Sequence, residues 1–299
     1  MGDSNLAVVL RNRLRASEPF SERTGEPVSA GVPFPEGAAE SGSLFRLLGP
    51  ASAPCAVQTR ELDHWGDGSI RWLLVDFLAS SRASEGYRLL PSEGETLDAQ
   101  GLRESPLQHR IEGERIRIET GAATFELRKG GSFPFESVTV DGEALLDVEG
   151  SGLYSEDASG ARYRSSISTL TVEQSGPVRT TVALAGGLET EPASERLVDF
   201  SCRIHFYAGS ATVGVELTVT NPRAAGHPGG LWALGSEGSV HLHSLELALA
   251  LRSSPGDRQI RLSAEPGERL RLQGSAVSLL QASSGGENWR SPVHVDRTG

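Results

Sequence analysis

The sequence predicts an all-β protein built of antiparallel strands, and two observations predict it. Short segments of alternating apolar and polar residues recur along the chain, whereas no segment carries an apolar stripe of 3.6-residue period over three helical turns. Glycine (35 residues) and proline (16 residues) are both common, which favours many turns over long helices. A chain of 299 residues is long enough for two domains.

The clearest local feature is a hairpin predicted over residues 61–77. Its turn, Gly66-Asp67-Gly68, contains residues that tolerate the positive φ angles of a tight connection. The strand that follows, residues 70–77, is mostly apolar on both faces, which predicts a central strand. Trp65 and Trp72 flank the turn, and the simplest interpretation places both in a core; the alternative makes the turn part of a site.

A polar, turn-rich segment at residues 91–109 separates two sets of predicted strands. The first set comprises residues 6–14, 29–32, 43–48, 55–64, 69–77 and 86–90. The second comprises residues 114–119, 138–146, 165–173, 178–184, 198–207, 212–220, 245–251, 259–262 and 269–273. We therefore predict one domain at residues 1–100 and a large antiparallel β-sandwich at residues 101–299, the latter incomplete at its C-terminal end.

Charge and hydropathy exclude several classes of partner. The net charge of −11 argues against nucleic acid, and no segment has the ~18 apolar residues of a membrane span. The apolar run at residues 6–10 lacks a preceding basic region and a following cleavage site, so no signal peptide is visible. A cytoplasmic protein and one whose leader has been removed both fit. Lys129 is the only lysine; arginine suits carboxylate binding, although a GC-rich genome produces the same bias.

The two cysteines have different settings. Cys202 alternates in phase with Phe200, Ile204 and Phe206, which predicts a buried, reduced thiol. Cys55 follows a proline at the start of a predicted strand. Because nothing else indicates a disulfide framework, a bond between the two cysteines is the less favoured alternative.

Two glycine-rich loops carry the residue types that chemistry needs. The first, residues 221–239, contains His227 and Trp232: a tryptophan face stacks on sugar rings, and an imidazole exchanges protons near neutral pH. The alternative is an irregular loop whose tryptophan plugs the edge of the sandwich. The second, residues 281–296, combines small residues with a polar cluster, Asn288, Trp289, Arg290 and His294.

These segments together resemble a known family. The segment Val28-Ser-Ala-Gly-Val-Pro-Phe-Pro-Glu-Gly37, the hairpin at residues 61–77 and the two late loops, in this order, are similar to the exo-rhamnogalacturonan lyase-like proteins. That family begins with a RIFT-type β-barrel, continues into a β-sandwich and ends in a helical toroid. The resemblance extends from about residue 28 to the end. Ala233 and Ser236 depart from it, since the family is expected to have acidic residues there.

The resemblance implies β-elimination on a uronic-acid polysaccharide such as rhamnogalacturonan, by a polysaccharide lyase whose activity needs the toroid. A base removes the proton α to the sugar carboxylate, a cation neutralises that carboxylate, and an acid protonates the leaving glycosidic oxygen. His227 and His294 are the candidates for proton transfer and Arg290 for the carboxylate. Trp232 and Trp289 would stack on sugar rings, and Asn288 would join them in binding the acidic polysaccharide or oligosaccharide.

The alternative function is a non-catalytic carbohydrate-binding or scaffolding module, and no cofactor is expected under either reading. His241 and His243 have the spacing of a β-sheet metal site, and His205 lies on another strand. No third ligand with a fixed spacing is visible, so no metal site is predicted. Phosphate-binding and dinucleotide-binding motifs and a serine nucleophile elbow are absent from the sequence. Nothing in it fixes an oligomeric state.

Overall fold

The computed structural model describes residues 6–8, 24–80, 86–92, 105–131, 133–190, 195–224, 238–252, 260–262, 271–273 and 278. Within these ranges the chain forms β-strands joined by turns, with one 3₁₀ turn at Pro50–Ser52 and no α-helix. The prediction of an all-β fold is therefore confirmed. No helix in the described ranges is long and apolar enough to cross a membrane.

Within the described residues, seven strands form the N-terminal region, up to residue 91. They are β1 (Leu6–Val8), β2 (Glu26–Pro33), β3 (Phe45–Leu48), β4 (Pro54–Cys55), β5 (Val57–His64), β6 (Ile70–Ala79) and β7 (Tyr87–Pro91). One antiparallel sheet has the order β2-β6-β5 and the other β1-β7-β3-β4. The two sheets share an apolar core that includes Val32, Leu47, Phe77 and Leu89, each at most 5% exposed. Strand β6 is central in its sheet, as the sequence predicts.

The tryptophans beside the β5–β6 turn do not fill this core, so that expectation is wrong. Trp72 is 40% exposed, and Trp65 donates its Nε1 hydrogen to the Phe34 carbonyl (2.9 Å) while Arg71 lies 4.8 Å from its ring centroid. The cause is a pair of register shifts in β5 next to Asp63. They break the strict alternation that the sequence interpretation assumed for β6.

The described residues from 105 to 252 form eleven further strands. They are β8 (Gln108–Glu112), β9 (Arg115–Glu119), β10 (Ala123–Arg128), β11 (Ser137–Val140), β12 (Glu143–Ala144), β13 (Leu146–Asp157), β14 (Arg162–Gln174), β15 (Arg179–Glu189), β16 (Arg196–Tyr207), β17 (Val213–Thr220) and β18 (Leu242–Leu251). One sheet has the order β12-β11-β10-β9-β8 and the other β17-β16-β15-β14-β13-β18. All pairings between neighbours are antiparallel.

The five-stranded and six-stranded sheets pack face to face as a sandwich. Alternate residues of β9 and β10, such as Ile118 and Phe125, meet the inner residues of β15 and β16 in one buried cluster. Aromatic rings join the two sheets directly: Phe125 contacts Phe206 edge to face, with ring centroids 5.1 Å apart. Such contacts add to the free energy of burying the apolar area.

Two strands lie outside this arrangement. Strands β19 (Ile260–Leu262) and β20 (Arg271–Gln273) pair antiparallel, in a unit separate from the one that contains β1–β18. The predicted division between residues 100 and 101 falls in the range 93–104, outside the described residues, and stays a prediction.

A buried ion pair joins the N-terminal strands to the sandwich. Asp76 of β6 and Arg179 of β15 are 2% and 9% exposed, and Arg179 Nη2 lies 3.1 Å from Asp76 Oδ2. Ser29 of β2 donates its hydroxyl hydrogen to the same carboxylate and accepts a bond from Arg179 Nη1 (3.2 Å). Arg179 Nη2 also donates to Gln174 Oε1 (3.1 Å). Each charge therefore has partners both from the N-terminal strands and from the sandwich.

The buried side chain of Gln58 makes a second connection at the same place. Its Oε1 accepts the backbone N–H groups of Val178 (3.3 Å) and Arg179 (3.0 Å). The approach is close because Gly176 has no side chain: a Cβ there would lie 2.3 Å from Gln58 Cδ. The loop between β14 and β15 is thus held against β5 by its backbone.

The turn between β13 and β14 is organised by Asp157. Its Oδ1 accepts the N–H groups of Ser159 (2.8 Å) and Ala161 (3.0 Å) and the Ser159 hydroxyl, while Oδ2 accepts the Tyr163 hydroxyl (3.0 Å). These bonds, that of the Ser159 hydroxyl first, lower the pKa of Asp157 from 3.8 to about 2. Gly160 takes the left-handed conformation (φ 85°) that closes the turn.

The structure confirms the predicted environment of Cys202. Its side chain is 3% exposed among the apolar residues of the sandwich, and Cys55 and Cys202 are both free thiols. Burial, and secondarily the negative charge of Glu216, raises the pKa of Cys202 to about 12. A thiol with this pKa is protonated at neutral pH and is not nucleophilic.

Asp157→Asn should change how the free energy of unfolding depends on pH. A carboxyl whose folded pKa is depressed contributes stability above its unfolded pKa and loses it as pH falls through the folded value. The wild-type protein therefore loses this contribution between about pH 4 and pH 2, and the variant has none to lose. Urea unfolding at pH 5 and pH 2 measures the difference. Tyr163→Phe removes the hydrogen bond from the Tyr163 hydroxyl to Asp157, so its loss of stability between pH 5 and pH 2 should lie between those of the wild type and Asp157→Asn. Equal pH dependence in all three proteins would contradict the stabilising role of Asp157.

Cys202 should resist modification in the folded protein. In a Cys55→Ser variant it is the only thiol, so any labelling reports on this residue alone. We expect no reaction with a thiol-specific reagent at neutral pH over minutes, and one equivalent after denaturation in urea. Rapid labelling of the native variant would show that Cys202 does not face the core.

Candidate functional site

A groove lies on the outer face of the six-stranded sheet, on the side away from the apolar core. Its volume is about 250 Å³. Eight outward-facing side chains from β14, β15, β16 and β17 line it: Thr169, Thr171, Ala183, Ala185, Ser201, Arg203, Glu216 and Thr218. We call this set the sheet groove.

Strand register arranges the sheet groove in two rows of four residues. One row runs Thr171, Ala183, Arg203, Glu216 across the four strands, and the next runs Thr169, Ala185, Ser201, Thr218. Residues paired in this way have their Cβ atoms about 4.5–5.5 Å apart. The two alanines occupy the middle of the rows, so the longer residues on both sides leave a depression above them.

Two irregularities in β14 border the groove. The pairing of β14 with β15 shifts register between Ile167 and Thr169 and again between Val172 and Gln174. Such bulges re-aim side chains and are frequent beside functional sites. Here they bracket the two threonines and place Glu173 at the end of the groove.

The guanidinium of Arg203 is held by Glu173. Its Nε and Nη2 donate to the two carboxylate oxygens at 2.6 and 2.8 Å, a bidentate geometry. The hydrogen bonds from Arg203 lower the pKa of Glu173, and those to Glu173 raise the pKa of Arg203. The cation of the groove is therefore already neutralised by a neighbouring anion.

The row next to the groove, toward Arg179, contains His205. Its Nδ1 lies 2.9 Å from Thr181 Oγ1, and its Nε2 lies 3.4 Å from Glu216 Oε1. With the proton on Nε2, the imidazole faces Glu216 and Nδ1 accepts the Thr181 hydroxyl hydrogen. The histidine is mostly buried (11% exposed) whereas Glu216 is 70% exposed, so the free carboxylate oxygen points to solvent.

The chemistry available in the groove is recognition by hydrogen bonds. Four hydroxyl groups, a paired guanidinium and an exposed carboxylate offer both donors and acceptors to a polar ligand. The thiol of Cys202 points to the core with a raised pKa and supplies no nucleophile. In the described part of the chain, no group of three histidine, cysteine or acidic side chains is placed to hold a metal ion; His241 and His243 are exposed there.

The site residues predicted from the sequence lie elsewhere in the chain. His227 and Trp232 fall in residues 225–237, and Asn288, Trp289, Arg290 and His294 fall in residues 279–299, both outside the described residues. Their roles in proton transfer and in binding the acidic polysaccharide stay predictions.

Sequence reasoning did not identify the sheet groove. Its polar residues alternate with core residues on each strand, and that pattern is typical of any solvent-facing side of a sandwich. The signal that distinguishes it is Ala183-Leu-Ala185 on a central strand between strands with polar outward residues. This signal becomes visible only when the pairing register is known.

Two family models match the chain. The model described as the PcRGLX-like N-terminal RIFT barrel domain matches residues 14–92, and the one described as the PcRGLX-like protein central beta sandwich domain matches residues 108–268. The chain therefore belongs to the exo-rhamnogalacturonan lyase-like family. The resemblance seen in the sequence is confirmed, and so is the fold class of a RIFT barrel followed by a β-sandwich.

The chain is also similar to a longer protein. The uncharacterized protein YetA of Bacillus subtilis (strain 168) is 24% identical over 254 residues. The aligned region covers 80% of this chain and 27% of YetA. The chain thus corresponds to less than a third of that relative.

Proposed function

We propose that this chain forms the β-domains of a polysaccharide lyase-like protein that acts on a uronic-acid polysaccharide of the rhamnogalacturonan type by β-elimination. The observation that carries the proposal is that two family models, for the barrel and for the sandwich, match consecutive parts of the chain in the order of that family. The chain supplies a rigid scaffold and sugar contacts, and the elimination chemistry requires the family's toroid.

The chemistry assigns a role to each predicted residue. A base, His227 or His294, takes the proton α to the uronate carboxylate; the C–H electrons form a double bond as the glycosidic C–O bond breaks, and an acid protonates the leaving oxygen. That proton is weakly acidic, so Arg290 neutralises the carboxylate and stabilises the charge that develops. Trp232 and Trp289 present apolar faces to the sugar rings, and Asn288 offers both a donor and an acceptor to the substrate.

The main alternative is a module that binds the polysaccharide without turnover. The two functions differ in product: β-elimination creates an unsaturated uronate that absorbs in the ultraviolet, whereas binding leaves the absorbance unchanged. Both require that the chain bind an acidic oligosaccharide.

Trp232→Ala should weaken binding of an acidic rhamnogalacturonan oligosaccharide several-fold and leave the unfolding transition unchanged. Stacking of aromatic groups contributes on the order of 0.5–1.5 kcal/mol beyond area burial, which corresponds to this loss. Calorimetric titration and urea unfolding measure the two effects. Trp72→Ala is the matched control, because this exposed tryptophan of β6 lies outside the predicted site and should bind as the wild type does.

Two outcomes contradict the proposal in different ways. If wild-type protein binds no acidic oligosaccharide, the polysaccharide function is wrong. If Trp232→Ala unfolds the protein without a separable effect on binding, this tryptophan packs against the sandwich and has a structural role. Binding by the wild type without any rise in ultraviolet absorbance, in the protein completed by its toroid, would favour the binding module over the lyase.

A further inference from the structure

The sheet groove has the dimensions of a site for one sugar ring. Its volume of about 250 Å³ is below the ~300–1,000 Å³ that is usual for sites of drug-sized ligands. The floor is Ala183 and Ala185 on β15, a strand with neighbours on both sides, so the depression is built on well-anchored backbone. A polysaccharide would therefore place a single unit or a branch there.

The lining matches the hydroxyl groups of a sugar. Thr169, Thr171, Ser201 and Thr218 are exposed and point outward from three strands around the alanine floor. Each hydroxyl donates one hydrogen bond and accepts two. Among the described residues, none of the four is engaged by another side chain, so all are available to a ligand.

The charges of the groove disfavour an anionic sugar. Arg203 is occupied by Glu173 at 2.6 and 2.8 Å, and Glu216 adds a carboxylate that is 70% exposed. Arg203, Glu173 and Glu216 together carry one net negative charge. Arg203 is the one cation among the residues that line the groove, and a further cation, Arg60, acts on Glu173. A uronate carboxylate would therefore meet Glu216 with no unpaired cation in the groove lining, and such like-charge contact is how sites reject wrong partners.

We propose that the sheet groove is a subsite for a neutral, hydroxyl-bearing sugar unit of the polysaccharide and that Glu216 excludes uronate from it. The inference rests on the proposed function for its saccharide class, but it assigns the groove a different ligand from the acidic units on which elimination acts. The protein would then hold its polysaccharide at two chemically distinct places.

Two probes test this selectivity, because methyl galactoside and methyl galacturonide differ only in the group attached to C5, which is a hydroxymethyl group in one and a carboxylate in the other. Titration of each into the isotope-labelled 299-residue chain, followed by amide NMR, locates and compares binding. We expect the galactoside to shift the amide signals of Ala183, Ala185 and Ser201. The galacturonide should bind at least several-fold more weakly.

Three variants separate the parts of the argument. Ala185→Leu fills the groove and should abolish the galactoside shifts, whereas Thr220→Leu, on the same face of β17 but outside the groove, should not. Glu216→Gln should reduce the difference in binding affinity between the galactoside and the galacturonide. Glu173→Gln, which frees the Arg203 guanidinium, should strengthen binding of the galacturonide.

The result that overturns the inference is equal or tighter binding of the galacturonide by the wild-type groove, shifts that survive Ala185→Leu, or no shifts at these residues. A parallel titration with acidic rhamnogalacturonan oligosaccharide keeps the two proposals apart. If this oligosaccharide binds and the galactoside does not, the groove inference alone fails. If the galactoside binds and the oligosaccharide does not, the proposed function fails.

Discussion

The structure depends on one buried ion pair, Asp76 with Arg179, that joins the barrel to the sandwich. Two charges that are 2% and 9% exposed are tolerated only when they are paired and hydrogen-bonded, because each loses its hydration on burial. Ser29 and Gln174 provide hydrogen bonds to the pair, whereas Arg179 Nε has no hydrogen-bond partner among the described residues. Gln58 extends the contact to the backbone of β15, so that the two folds meet through specific polar groups.

The ion pair and the sheet groove share strand β15. Arg179, Thr181, Ala183 and Ala185 alternate along the outer face of β15, so the row occupied by Arg179 adjoins the row of Thr181 and His205. The junction therefore occupies one end of the outer face, and the groove opens farther along it. Strand β15 is paired with β14 and β16 along its length, so the alanine floor lies on a central strand of the sheet.

Much of the fold could be predicted from the sequence, where alternation is regular. The pairing partners β16 and β17 have an unbroken pattern, and Cys202 is buried as its phase indicates. Strand β13 was not predicted, because Gly150 and Gly152 resemble turn residues but lie within a bulged strand. Trp72 was misplaced for a related reason: register shifts next to Asp63 move the buried face by one residue.

The sheet groove could not be predicted from the sequence, for a different reason. Its residues come from four strands that span 50 positions of the chain, from Thr169 to Thr218, and only the register brings them together. The exposed edge strand β8 was missed as well, since it buries no residue and has no apolar alternation. Local patterns report which face is buried; they do not report which exposed residues become neighbours.

A double-mutant cycle on the junction is the most direct test of this account. Asp76→Asn and Arg179→Met each leave one buried charge without its partner, and we predict that each lowers the free energy of unfolding by about 3–5 kcal/mol. The double variant should lose much less than the sum, because neither charge remains, and urea unfolding measures all four proteins. Single substitutions that cost less than about 1 kcal/mol, the range of exposed pairs, or losses that simply add, would show that the ion pair does not hold the barrel to the sandwich.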